Sequence, residues 1–170
     1  MRTKLLLAAV LAVILSTTAV TLASASGARS SDDNDASVIT LFSTQDKFTF
    51  LDLDQSGATA PTMGDQAVFT DVLFDHSGGS EVGTDAVVCT VMTVTASAET
   101  DQCAATFSLT DRGQIAVQGL VTLPSGDETG AKFVLPVTGG SDEFEAAGGQ
   151  LTVEILNAKG DAHLTFHLLD

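Results

Sequence analysis

The chain has 170 residues, with 22 acidic against 7 basic side chains and a formal net charge of −15. That length suits one domain plus a targeting segment. The charge excludes nucleic acid and anionic membrane surfaces as partners, because both are polyanionic and no basic cluster offsets the repulsion. In a secreted protein such acidity first reads as a solubility device, with a salt-rich habitat or bound cations as the alternatives.

In chain order, the first 25 residues read as a secretory signal peptide. Arg2 and Lys4 provide a basic start, Leu5 to Leu15 form an apolar run of about 11 residues, and Ala23-Ser24-Ala25 matches a small-residue cleavage site. The run is shorter than the ~20 apolar residues that span a bilayer. The expected mature protein is therefore secreted, with cleavage near Ala25 and about 145 residues remaining. It carries five basic residues (Arg29, Lys47, Arg112, Lys132, Lys159) against 22 acidic ones, a balance of −17. Residues 26–36, SGARSSDDNDA, are small, polar and acidic and read as a disordered leader.

From Ser37 the pattern changes to short runs of period two, punctuated by Gly, Asp and Pro. No stretch shows helical periodicity beyond two turns. The sequence predicts an all-β domain of about eight strands over residues 37–170. In DLDQSG, residues 52–57, the spacing starts like a calcium loop, but Met63 stands where the bidentate glutamate belongs and no helices flank it, so no metal is expected there.

The alternation assigns faces. In AVFTDVLF, Ala67, Phe69, Asp71 and Leu73 share one side. In VVCTVMTVT, Cys89 and Val91 share one. In QCAATFSLT, Cys103, Ala105, Phe107 and Leu109 oppose Gln102, Ala104, Thr106 and Ser108. A hairpin turning near Ala96 sets Cys89 opposite Cys103, and the chain holds only these two cysteines. In an oxidising exterior they are expected to form a disulfide closing about 15 residues. Further along, Ile115, Val117, Val121 and Leu123, then Leu151, Val153 and Ile155, then Leu164, Phe166 and Leu168 form apolar faces. One-sided apolar strands fit an antiparallel sheet, and closure into a barrel removes its exposed edges. His163 and His167 alternate on the outer side, ~13 Å apart at strand rise, too far for one metal.

Three segments, in this order, resemble the allene oxide cyclase and dirigent barrel superfamily. GDQAVFTDVLFDHSGGSEVGTD is similar to the family's G-D-x-v-x-F-x-D-x-L-x-D, turn, v-G-t-x-x-G. FSLTDRGQIAVQGL is similar to F-x-L-x-d-G-x-I-x-x-x-G, and PVTGGSDEFEAAGGQLTV to V-T-G-G-T-G-x-F/Y-x-x-A-R-G-x-v. The resemblance covers the chain from about Ser37 to its end. It implies an eight-stranded antiparallel β-barrel with a central apolar cavity, often dimeric or trimeric. It also implies a pocket that folds a flexible, reactive hydrophobic small molecule, polyketide- or lipid-like, for ring closure, 4 + 2 addition included, without a cofactor. A non-enzymatic guiding or structural barrel is the alternative. The sequence departs from the pattern at Ser141, Asp142 and Gly148, the last standing where the family shows arginine, and it contains neither Tyr nor Trp.

On this reading Asp71 is a candidate general acid, base or substrate anchor, being the only charged residue placed on an inward face. Burial would raise its pKa, unless it marks a barrel mouth or bonds a neighbouring backbone. Glu143 takes the position of an acid that follows G-G-T-G in some dirigent relatives, and Asp46 resembles the acid near the end of the family's first strand. Either would polarise a substrate, or serve as a solvated charge. The expected cavity lining is Phe69, Leu73, Val91, Phe107, Val117, Leu123, Phe133, Leu135, Leu151 and Val153. The glycine pairs Gly139-Gly140 and Gly148-Gly149 read as bends where the wall is left and re-entered, with Phe144 plugging the corner. No G-x-S-x-G, C-x-x-C or helix-terminal phosphate cradle is present.

Overall fold

In a computed structural model of the protein, residues 37–55, 57 and 60–169 are described. The expected signal peptide, acidic leader and cleavage site fall outside them. Runs rich in Val, Thr, Phe and Ile, separated by Gly, Asp and Ser turns, form eight strands. These are β1 (Ser37–Leu51), β2 (Gln66–Phe74), β3 (Glu81–Val94), β4 (Ala98–Leu109), β5 (Gly113–Pro124), β6 (Lys132–Gly140), β7 (Gly148–Ile155) and β8 (Ala162–Leu169). Each pairs antiparallel with the next, and β1 pairs with β8, closing the barrel.

The up-and-down order puts four connections at one end: residues 52–65, 95–97, 125–131 and 156–161. The other end carries residues 75–80, 110–112 and 141–147, the last with a 3₁₀ turn at Asp142–Phe144. The inner faces meet in one core. Leu73, Ile115, Leu151 and Phe166 are fully buried, and the Phe107 and Phe166 rings pack edge to face with centroids 5.0 Å apart. Phe144 is buried under the 141–147 connection, with the Arg112 guanidinium over its ring at 5.3 Å.

Register shifts interrupt the ladders at four places. The β1–β2 register shifts between Gln45 and Lys47, leaving Asp46 as the bulged residue. Phe48 and Phe50 thereby pair with Phe69 and Ala67, and the Phe48 and Phe69 rings stack at 6.4 Å. The other shifts fall between Leu73 and Phe74 against β3, between Val91 and Thr93 against β4, and between Ala116 and Val117 against β6.

Cys89 and Cys103 lie directly opposite on β3 and β4, Cα atoms 4.0 Å apart, and are bonded. The hairpin between them turns at residues 95–97. The bridge closes a 14-residue separation. Loss of loop entropy in the unfolded chain predicts that a Cys89→Ala/Cys103→Ala variant loses about 2–3 kcal/mol, read as a lower urea midpoint at unchanged slope.

Candidate functional site

Asp71 stands on the inner face of β2, between Gln45 on β1 and Asp85 on β3. Both aspartates are buried, at 7% and 5% exposure, and the Asp71 amide N–H donates to Asp85 Oδ1 at 3.0 Å. The side-chain atoms Asp71 Oδ1 and Ser43 Oγ are buried without a hydrogen-bond partner. Burial pushes the Asp71 carboxyl up to about 6, the charge of Asp161 adds to the rise, and the nearby Ser43 hydroxyl opposes it. Asp85 rises to about 7, again chiefly through burial and then through the Asp71 charge, against the Asp71 backbone N–H. Asp71 ionises first and its charge resists ionisation of Asp85, so the two titrate as one unit. At neutral pH such a unit holds about one proton and can donate or accept it.

The expectation that Asp71 is the only inward charge is corrected. Asp85 on β3 and Glu99 and Asp101 on β4 share the inner face: Glu99 pairs with Val94 and Leu123, Asp101 with Val91 and Val121. The signal was present, because counting back by twos from Cys89 reaches Asp85, and from Cys103 reaches Asp101 and Glu99. The face assignment starts at Val87 and at Gln102 and so stops short of all three acids. Glu99 is raised to about 7 by burial, then by the Asp101 charge and by Glu128 and Asp65. Asp101 is raised by burial, with the hydrogen bond from Glu99 opposing. Among the described residues, the basic side chains lie on outer faces or turns: Lys47, Lys132, Lys159 and Arg112 are all exposed.

The other two acids assigned from sequence lie apart from this interior. Glu143, in the 3₁₀ turn, is exposed and committed to Arg112, which donates to its two oxygens at 2.6 and 2.8 Å. That pairing holds the Glu143 carboxyl below its usual range. Asp46 sits on the bulge beside Lys47 at 3.5 Å, half-exposed to solvent. Of the ten expected lining residues, Leu73, Val91, Phe107, Val117, Leu135, Leu151 and Val153 are buried in the packed core. Phe69, Leu123 and Phe133 are the inward positions that keep solvent exposure. The accessible apolar surface is thus smaller than a fully hollow barrel would offer.

Asp52 and Asp54 of the DLDQSG stretch do come together with a third carboxylate, Asp65, their ligand atoms within 4.8 Å of one another. Asp65 is spent on the loop itself: it accepts from the N–H of Leu53 at 2.9 Å, and from the N–H and hydroxyl of Thr62 at 2.8 and 3.0 Å. Those bonds hold its carboxyl below the usual range and pin the β1–β2 connection. His163 and His167 are exposed on the outer face of β8, His163 with its ring edge against Phe42 at 5.8 Å. At the end bearing the 75–80 and 110–112 turns, a recess of about 310 Å³ is lined by Leu41, Val82, Leu109, Glu81 and Arg112 among others, and none of the interior aspartates faces it.

The allene oxide cyclase barrel like domain matches residues 38–166. No curated protein matches. Among solved structures, a pyocyanin demethylase superposes with a TM-score of 0.64 at 29% identity, covering 78% of this chain and 99% of its own. A nonspecific heme-binding cyclase of neoabyssomicin biosynthesis, which catalyses 4 + 2 cycloaddition, superposes with a TM-score of 0.60 at 14% identity, over 81% of this chain and 66% of its own. A pterocarpan synthase dirigent protein gives 0.60 at 13%, over 78% of this chain and 92% of its own. At such identities the last two share the fold. Closed eight-stranded order, the glycine-bracketed connection and the match over residues 38–166 lead to one conclusion: the chain belongs to the allene oxide cyclase barrel like family.

Proposed function

We propose that the protein binds a hydrophobic small molecule in the barrel and promotes or steers its rearrangement, ring closure included, with the Asp71–Asp85 pair moving the proton. The observation that carries this is a pair of buried carboxylates, register partners with raised pKa values and no cationic partner among the described residues, one oxygen of which has no hydrogen bond. Structural proteins rarely keep such a pair, because each unpaired buried charge costs several kcal/mol. The names of the structural relatives span a demethylase, 4 + 2 cyclases and dirigent synthases. All fit an apolar chamber with few polar groups. The signal-like character of the first 25 residues and the disulfide support action outside the cell.

A guiding role without proton transfer is the second reading. It is favoured by the purely Phe aromatic content, which leaves no phenol or indole to hold a substrate's polar groups. The two separate on one measurement. Native mass spectrometry of the secreted protein is expected to show an apolar ligand in both wild type and Asp71→Asn. Turnover of that ligand should fall by roughly 10²–10⁴ in the variant and should follow a bell-shaped pH profile in the wild type, with limbs near 6 and 7. Unchanged turnover in Asp71→Asn leaves only the guiding reading, and a barrel that carries no apolar ligand removes both.

A further inference from the structure

Beyond the Asp71–Asp85 pair, the inner wall holds a second pair of acids that proton transfer there does not use. Glu99 and Asp101 sit two residues apart on β4, on the face that continues through Cys103 and Ala105 to Phe107. Phe107 is the register partner of Asp85, six residues beyond Asp101, so the two acid pairs are separated by about 20 Å along the strand. They are distinct places in the barrel. The groups packed around Glu99 and Asp101 are Val91 and Val94 from β3, Val121 and Leu123 from β5, Asp65 from the β1–β2 connection and Glu128 from the β5–β6 connection. Every one is apolar or acidic.

We propose that this mouth of the barrel is a recognition site for the cationic end of an apolar ligand, an organic ammonium or iminium ion, with Glu99 and Asp101 as its counter-charge. The proposal rests on reading the barrel as a small-molecule binder and specifies what kind of molecule it admits. Asp101 is only 9% exposed, and its Oδ1 is buried without a hydrogen-bond partner. A carboxylate oxygen in that position lacks a donor or a positive charge, and leaving it so is costly. Glu99 satisfies one side of it by a hydrogen bond. The remaining side, at Oδ1, receives no donor from the described residues.

A small metal ion fits poorly. Among the described residues the only three carboxylates converging within 4.8 Å are Asp52, Asp54 and Asp65, and neither Glu99 nor Asp101 joins them. Hard divalent ions need six or more converging oxygens. A weakly hydrated organic cation needs fewer, and it gains from the valines and leucine around it. The acidic rim, with Asp65 and Glu128 beside the pair, draws cations toward the mouth and turns anions away.

One consequence separates this site from an apolar patch. In the free protein Glu99 keeps its proton until about pH 7. A bound cation favours the ionised form, so binding releases that proton, and affinity must rise with pH, roughly tenfold per unit below 7 and levelling above.

The probes are benzyltrimethylammonium and its uncharged isostere neopentylbenzene, titrated by calorimetry between pH 5 and 8 in two buffers of different ionisation enthalpy. The cation is expected to bind the more tightly at pH 8, with the stated pH slope and a released proton. The isostere is expected to bind without pH dependence. A Glu99→Gln/Asp101→Asn variant should lose at least tenfold in affinity for the cation, together with its pH slope, while isostere binding is unchanged and reports an intact fold. Equal affinity for the two probes at pH 8, a flat pH profile for the cation, or full cation affinity in the variant overturns the proposal and leaves the small-molecule reading standing. Failure of both probes to bind at millimolar concentration removes both.

Discussion

Asp85→Asn is expected to stabilise the barrel at pH 8 by about 3–4 kcal/mol and to leave its stability at pH 4 nearly unchanged. Asp85 is 5% exposed and its pKa stands at about 7 in the fold, against an ordinary value of 3.8. Between those two values the folded chain holds a proton that the unfolded chain has released. Stability from this group is therefore fully present below pH 3.8, falls as pH rises through the window, and is gone above 7. Asp71 acts in the same direction up to about 6. Glu99 adds a smaller part because solvent reaches it. The wild type should thus be most stable near pH 4 and weaken steadily toward 8, the reverse of a protein held by salt-bridged carboxylates. Asparagine keeps the shape of aspartate, and its Oδ1 still accepts the Asp71 N–H, so only the burial cost of charge is removed. Urea unfolding of both proteins at pH 4, 6 and 8 reads the effect. A wild type whose midpoint rises from pH 4 to 8 refutes it. The same substitution should abolish proton transfer, so stability gained and activity lost would mark the pair as kept for function.

The glycine-bracketed connection yields the second large effect, on the two adjacent glycines that open β7. At Gly149 an alanine is expected to cost about 4 kcal/mol or more. At Gly148 an arginine should cost less than about 1 kcal/mol. Gly149 has φ +117°, a conformation side chains rarely adopt, and an added Cβ would run into the carbonyl oxygen of His167 on β8. Neither the β7–β8 ladder nor the backbone of β8 can give way cheaply. Gly148 has nothing within 4 Å of where a Cβ would stand. A side chain can therefore start from position 148 without a backbone clash. Thermal unfolding of Gly149→Ala and Gly148→Arg compares the two directly, and equal losses would sink the distinction.

Strand count, barrel closure, the Cys89–Cys103 pairing and the burial of Phe144 were all readable from alternation and turn residues, and all appear in the fold. The reading fell short where the alternating runs were begun too late. Asp85 and Asp101 lie just before the runs to which faces were assigned, yet both continue an inward face already marked by the cysteines. It failed again where position in the chain says little about position in space. Glu143 follows the most distinctive motif, but its partner Arg112 is 31 residues away and draws it outward into an ion pair. At Asp46 a bulge removes the acid from the alternating wall, and no period-two count detects a bulge.

The sequence by itself therefore determined the class of the molecule: an acidic, disulfide-bridged, eight-stranded barrel whose apolar residues point one way. Those properties follow from charge count, period two and the steric needs of particular turns, all of them local. Only the tertiary structure decided which acids face each other. Asp71 meets Asp85 and Asp101 meets Val91 and Val121 because strand register fixes neighbours across the sheet. A carboxylate's pKa is set by the burial and the charges those neighbours supply. The chemistry of this barrel lies in that register.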